Sequence, residues 1–155
     1  MQEVPQADDV EQFLTAFDAL AQAVRRARGA PAQADAPALT LSQYGLLQGL
    51  AGRDGARVAE LAEEAGIAPS TATRILDALQ RRGVVDRRRD AEDRRAVTIS
   101  LTGVGQQLLE SRHASLRARQ RAFFDGLPQA ERELAPDLLV RLAGLIDELA
   151  AGDDC

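Results

Sequence analysis

Apolar positions recur at helical spacing near the start of the chain. Val10, Phe13, Leu14, Phe17, Leu20, Ala21 and Val24 share one face, behind an Asp8-x-x-Glu11 pair of the capping-box kind. This pattern predicts a helix from about residue 9 to Arg28, closed by Gly29. Residues 30–38 contain Pro31 and Pro37 without periodicity and read as a loop. Thr40-Leu41-Ser42-Gln43 then supplies a second capping box, and a helix carrying Leu46, Leu47 and Leu50 follows.

Beyond a turn at Gly52 to Gly55, Val58, Leu61, Ala62 and Ala65 predict a short helix that stops at Gly66. Ile67-Ala68 leads into another, with Pro69 at its first position and Ile75, Leu76 and Leu79 on its buried side until Gly83. Two short helices around a Gly-containing turn make a helix-turn-helix. Val84-Val85 and Val97-Thr98-Ile99-Ser100-Leu101 favour strands, and the nearly all-charged residues between them predict a hairpin with an Arg-rich tip. Thr102 is placed to cap a long helix through Leu109, His113, Leu116, Gln120 and Phe123, which breaks at Gly126-Leu127-Pro128. A last helix aligns Leu134, Leu138, Leu142, Leu145 and Leu149. Pro136 falls inside it and predicts a kink or a late start.

The 155 residues suit one compact domain or two small lobes, and the aliphatic-rich supply, with four Phe, one Tyr and no Trp, favours packed helices. The fold class expected is mainly α with a small β-hairpin. Net charge is −5, which by itself argues against a nucleic-acid partner. Its distribution changes the picture: residues 1–22 carry −5 and residues 125–155 carry −6, whereas residues 69–95 carry +3. All 19 basic side chains are Arg, which bind phosphate bidentately.

An N-terminus with acids where a secretory signal needs positive charge, and no apolar run long enough to span a bilayer, lead to the expectation of a cytoplasmic protein without a membrane partner. Cys155, the one cysteine, permits neither an intrachain disulfide nor a multi-cysteine metal site. With one His and no Gly-rich phosphate loop there is no nucleophile and base pair to build on, so neither an enzyme nor a metal or cofactor is expected.

The helix and hairpin supply DNA-binding chemistry. In a helix-turn-helix the start of the second helix approaches the base edges, and Ser70, Thr71, Thr73 and Arg74 stand there. Small hydroxyls let the backbone come close, and Arg74 suits a guanine edge. On the hairpin, Arg95 suits a narrow minor groove, with Asp93 holding its guanidinium extended, while Arg87, Arg88, Arg89 and Arg94 suit phosphates.

The runs Leu61-Ala62, Ser70-Thr71-Ala72-Thr73-Arg74, Leu79-x-x-x-Gly83-Val84-Val85-x-Arg87 and Asp93-Arg94-Arg95-x-x-x-Ile99-x-Leu101-Thr102-x-x-Gly105 are similar to those of the MarR family of bacterial transcription regulators. The resemblance implies a winged-helix homodimer over residues 1–155. It makes 40–102 the winged helix-turn-helix DNA-binding lobe, and 8–29 with 103–151 a helical dimerisation lobe formed by both chain ends. It maps the family's wing arginine onto Arg95 and its partner acid onto Asp93. Ala68, where the family often has a capping Ser, and Pro136 depart from the pattern.

The function expected is a sequence-specific regulator of double-stranded DNA, a ligand-responsive repressor that binds a pseudo-palindromic operator as a homodimer. The resemblance also implies a small-molecule input, and Phe13, Phe17, Tyr44, Leu47, His113 and Leu116 are the candidate lining for an aromatic or phenolic effector, with ordinary core packing as the competing account. The rival reading of the whole chain is a winged-helix module for protein contacts or ligand sensing that does not touch DNA.

Overall fold

The computed structural model describes residues 7–29, 38–89 and 96–152. Asp93, Arg94 and Arg95, the loop with Pro31 and Pro37, and Cys155 lie outside the described residues. The chain divides into two units, 1–112 and 113–155, with the boundary inside the fifth helix.

The first unit holds α1 (Ala7–Gly29), α2 (Leu41–Gln48), β1 (Ala56–Arg57), α3 (Val58–Ala65), α4 (Pro69–Arg81), β2 (Val85–Arg89), β3 (Val97–Leu101) and the start of α5 (Gly103–Gly126). The rest of α5 and α6 (Gln129–Gly152) form the second. The fold is mainly helical with a small antiparallel sheet, a winged helix-turn-helix as expected.

Local chemistry explains most boundaries in the first unit. At α2 the Thr40–Gln43 box is formed in both directions: the Gln43 N–H donates to Thr40 Oγ1 at 3.2 Å, and the Thr40 N–H donates to Gln43 Oε1 at 3.0 Å. Thr40→Ala is therefore expected to cost about 1 kcal/mol, readable as a lower urea midpoint at unchanged m. Gly66 ends α3 with φ +63°, and Gly83 follows α4 with φ +70°. In each case the next N–H turns back onto the helix, Ile67 to the Ala62 carbonyl and Val84 to the Leu79 carbonyl. A Cβ at either position would oppose that left-handed backbone.

The core of this unit is aliphatic. Leu39, Leu46, Leu47, Leu50, Leu61, Leu76, Leu79, Val84, Val85 and Ile99 are almost completely enclosed. Burying side chains of this size contributes roughly 1.5–3 kcal/mol each before chain entropy is opposed to it.

Several expectations need correction. The sheet has three strands, in the order β1-β3-β2, where a two-stranded hairpin was expected. Ala56 and Arg57 pair with Ile99 and Thr98, so β3 is central. The ladder of β2 with β3 begins at Val85 and continues through Arg87, Arg88 and Arg89, which pair with Ile99, Thr98 and Val97. These three arginines therefore lie on a strand, not at the hairpin tip, because the β-branched partners in β3 draw a polar sequence into the ladder.

Asp8 is not a cap. α1 already includes Ala7, which puts Asp8 and Asp9 in its first turn, where they favour the positive end of the helix dipole. α1 also includes Gly29. In the second unit, α6 begins at Gln129 and runs through Pro136, so the late start does not occur. The missing N–H deprives only the Arg132 carbonyl, and both residues are exposed, where water substitutes.

Thr102 binds two segments together. Its Oγ1 accepts from the Gly105 N–H at 3.0 Å, capping α5, and donates to the Gly83 carbonyl at 2.6 Å, while its own N–H donates to the Val84 carbonyl at 3.1 Å. α6 buries none of its residues, and Leu134 and Val140 are 69% and 72% exposed. That apolar surface has no cover within the second unit.

Candidate nucleic-acid interface

α4 is two-sided. Ala72, Leu76 and Leu79 are fully buried, which turns Ser70, Thr73 and Arg74 outward. Thr71 is half-buried. Pro69 opens the helix after an extended Ala68 that has no side-chain cap, so the first N–H groups of α4 have no side chain from that position to satisfy them. Unfilled donors at a helix N-terminus favour an anion such as phosphate.

Thr73 Oγ1 donates to the Pro69 carbonyl at 2.9 Å. With its proton engaged there, the hydroxyl is left to accept, which suits a base amino group better than a phosphate oxygen. Arg74 has no ion pair with any described residue.

Arg87 reaches from β2 to α4, where its Nη2 donates to Asp77 Oδ1. Arg87, expected at a phosphate, is here also a tie between wing and helix. Both side chains are more than a third open to solvent, at 34% and 42%, so the pair is worth little in stability. Asp77→Ala is expected to cost under about 1 kcal/mol in urea melts. Sequence reasoning missed Asp77, although it is the one acid in α4 and so stood out on an otherwise basic helix.

Arg88 and Arg89 are exposed along β2. Thr73, Arg87, Arg88 and Arg89 line a common groove of ≈ 430 Å³, floored in part by Val58 and Val97. Thr73 of α4 and the three arginines of β2 thus share one face. Asp93, Arg94 and Arg95 belong to the segment between β2 and β3, outside the described residues.

The effector candidates are placed less distinctively. The rings of Phe13 and Phe17 stand 6.2 Å apart on α1, tilted by 34°. Tyr44 is nearly buried and its hydroxyl accepts from Gln48 Nε2 at 2.9 Å, while Leu47 is sealed in the core of the first unit. His113 is exposed and Leu116 half-buried, both in the second unit. Among the described residues no group of three or more His, Cys, Asp or Glu is arranged to hold a metal, and no helix is long and apolar enough to cross a membrane.

Residues 39–97, from the start of α2 to the start of β3, match the family model described as MarR family. The winged helix-turn-helix is thus similar to that of the MarR family. The chain is also 28% identical over 113 residues to the uncharacterized HTH-type transcriptional regulator YdgJ of Bacillus subtilis (strain 168), covering 73% of this chain and 69% of that protein. Among solved structures it resembles the MarR family transcription regulator SP03579, with TM-score 0.73 and 24% identity over 93% of this chain and 94% of the other. It also resembles the transcriptional repressor CouR bound to a 23-mer DNA duplex, with TM-score 0.67 and 25% identity over 92% of this chain and 99% of the other. The match over 39–97 supports a DNA-binding transcription regulator.

Proposed function

We propose that the chain is a homodimeric, ligand-responsive repressor that reads a pseudo-palindromic operator in double-stranded DNA. The observation that carries this reading is the groove joining Thr73 of α4 to Arg87, Arg88 and Arg89 of β2. α4 enters the major groove, with Ser70, Thr73 and Arg74 toward the bases. Arg88 and Arg89 meet phosphates, and the 90–96 segment carries Arg95 toward the minor groove. The duplex bound by CouR, a repressor of the same fold, supports this docking.

A dimer is favoured by apolar surface left open in one chain. Phe13 and Leu14 on α1 are 47% and 50% exposed, and Leu134, Val140 and Ile146 on α6 are 69%, 72% and 51% exposed. Surface of this kind on residues 8–29 and 103–151 is suited to pairing with a copy of itself. Two recognition helices related by a twofold axis require half-sites about one helical turn apart. The Phe13–Phe17 ring pair and the Tyr44 hydroxyl are the groups in the first unit suited to a small aromatic effector.

The test is selection of bound duplexes from a random pool, followed by titration of the selected duplex at several salt concentrations. A palindromic consensus is expected. The logarithm of the binding constant should fall linearly with the logarithm of salt, by about 0.9 per phosphate neutralised. Recovery of random sequences, or affinity indifferent to salt, would leave only a protein-contact role.

A further inference from the structure

A second cavity of ≈ 470 Å³, which shares Arg88 with the DNA-facing groove, is lined chiefly by polar side chains. It is bounded by the turn after α2, which contributes Arg53 and Asp54, by Arg88 and Ser100 of the wing strands, and by Gln106 of α5. Within it Ser100 is only 6% exposed, and its Oγ is buried without a hydrogen-bond partner. A buried hydroxyl left unpaired is a standing cost, and in a polar cavity a hydrogen bond to a ligand relieves it.

The charges around it are specific. Arg53 is already neutralised by Glu64, Nη1 to Oε1 at 2.9 Å. Arg88 and Asp54 have no ion-pair partner among the described residues, yet they line the same cavity. A simple anion would satisfy Arg88 and face Asp54; a simple cation would do the reverse. A ligand bearing both charges satisfies both. Gln106 donates its Nε2 to Glu110 at 2.7 Å, which leaves its carbonyl oxygen as an acceptor.

We infer that this cavity is a binding site for a small zwitterion, a free α-amino acid. Its carboxylate takes the Arg88 guanidinium and the Ser100 hydroxyl, and its ammonium takes the Asp54 carboxylate and the Gln106 carbonyl oxygen. Arg88 is also a phosphate contact in the function proposed above. An amino acid that occupies that guanidinium withdraws it from DNA, so the two ligands bind antagonistically, and by linkage the effect is mutual. Only this coupling rests on the DNA-binding reading; the site itself does not.

Calorimetric titration of the full chain with each common L-amino acid, without DNA, tests the site. At least one is expected to bind, with its decarboxylated amine and its deaminated acid each weaker by about tenfold or more. Asp54→Asn, outside the DNA-facing groove, should lose a similar factor. Ser100→Ala should also bind more weakly, yet melt no lower than the parent without ligand, because the unpaired hydroxyl is gone. Absence of binding by every amino acid would leave a hydrated cavity and overturn the proposal. So would equal affinity of the deaminated acid, or full affinity in Asp54→Asn. Duplex titration of the parent with and without the binding amino acid then reads the coupling. Failure of the chain to bind any duplex would leave the calorimetric result intact.

Discussion

Gly105→Ala is expected to destabilise the winged helix-turn-helix by about 4 kcal/mol or more, most of the stability of a domain at the lower end of the usual range. Gly105 is buried in the first turn of α5, and a Cβ placed on it would stand 2.0 Å from the Val84 carbonyl oxygen and 3.1 Å from Leu101 Cδ2. The Val84 carbonyl has no room to retreat. It accepts from the Thr102 N–H, and Val84 itself is held by its N–H bond to the Leu79 carbonyl. Relief requires α5 to lift away, breaking the Thr102 bonds to Gly83 and Val84 together. Gly103→Ala is the control: a Cβ there meets nothing within 4 Å, and the change should be neutral or slightly stabilising. Urea denaturation of both variants decides the matter. A Gly105→Ala midpoint close to that of the parent would mean that the start of α5 yields to a Cβ.

The second large effect is on DNA. Arg95→Ala is expected to weaken binding to the selected operator by about 1–3 kcal/mol, while the protein remains folded. The described ladder of β2 with β3 runs from the Val85–Leu101 pair to the Arg89–Val97 pair, and Arg95 lies in the sequence between the two strands. A long guanidinium suits a narrow minor groove, where the potential is most negative. Arg89→Ala should behave differently, weakening binding to all duplexes alike and lowering the salt slope by about one. Anisotropy titrations on the operator and on a scrambled duplex separate the two. If Arg95→Ala matches the parent on the operator, the role assigned to Arg95 is wrong.

What was legible in the sequence was local. The Thr40–Gln43 box, the Thr102 cap and the glycine stops at Gly66 and Gly83 depend on residues within a few positions of each other, and they appear where their chemistry places them. β1 was illegible because Ala56-Arg57 has no strand preference of its own. It exists because β3 offers an edge and Gly55 lets the chain come close, a Cβ there standing only 3.2 Å from the Ile99 carbonyl oxygen.

The candidate site divides in the same way. Outward positions of α4 followed from its apolar face, which is set by residues of α4 itself. The engagement of Arg87 did not, because Asp77 sits on another element and meets it only once the wing has folded back. The unpaired Ser100 hydroxyl is likewise a product of packing: its alternation along β3 is readable, but the turn and helix that enclose it are not. Asp8 shows the opposite error, a capping pattern present in the residues but overrun by a helix that starts earlier.

The sheet order has a consequence unrelated to operator recognition. With β3 in the middle, β2 is an edge strand, and one side of its backbone is open to any passing chain that can add a strand. Four of its five residues, Asp86, Arg87, Arg88 and Arg89, are charged and exposed. The opposite edge, β1, is two residues long. Like-charged arginines in succession make edge-to-edge stacking of two wings repulsive, so the side chains that draw the protein to a polyanion also keep it from aggregating through its own sheet.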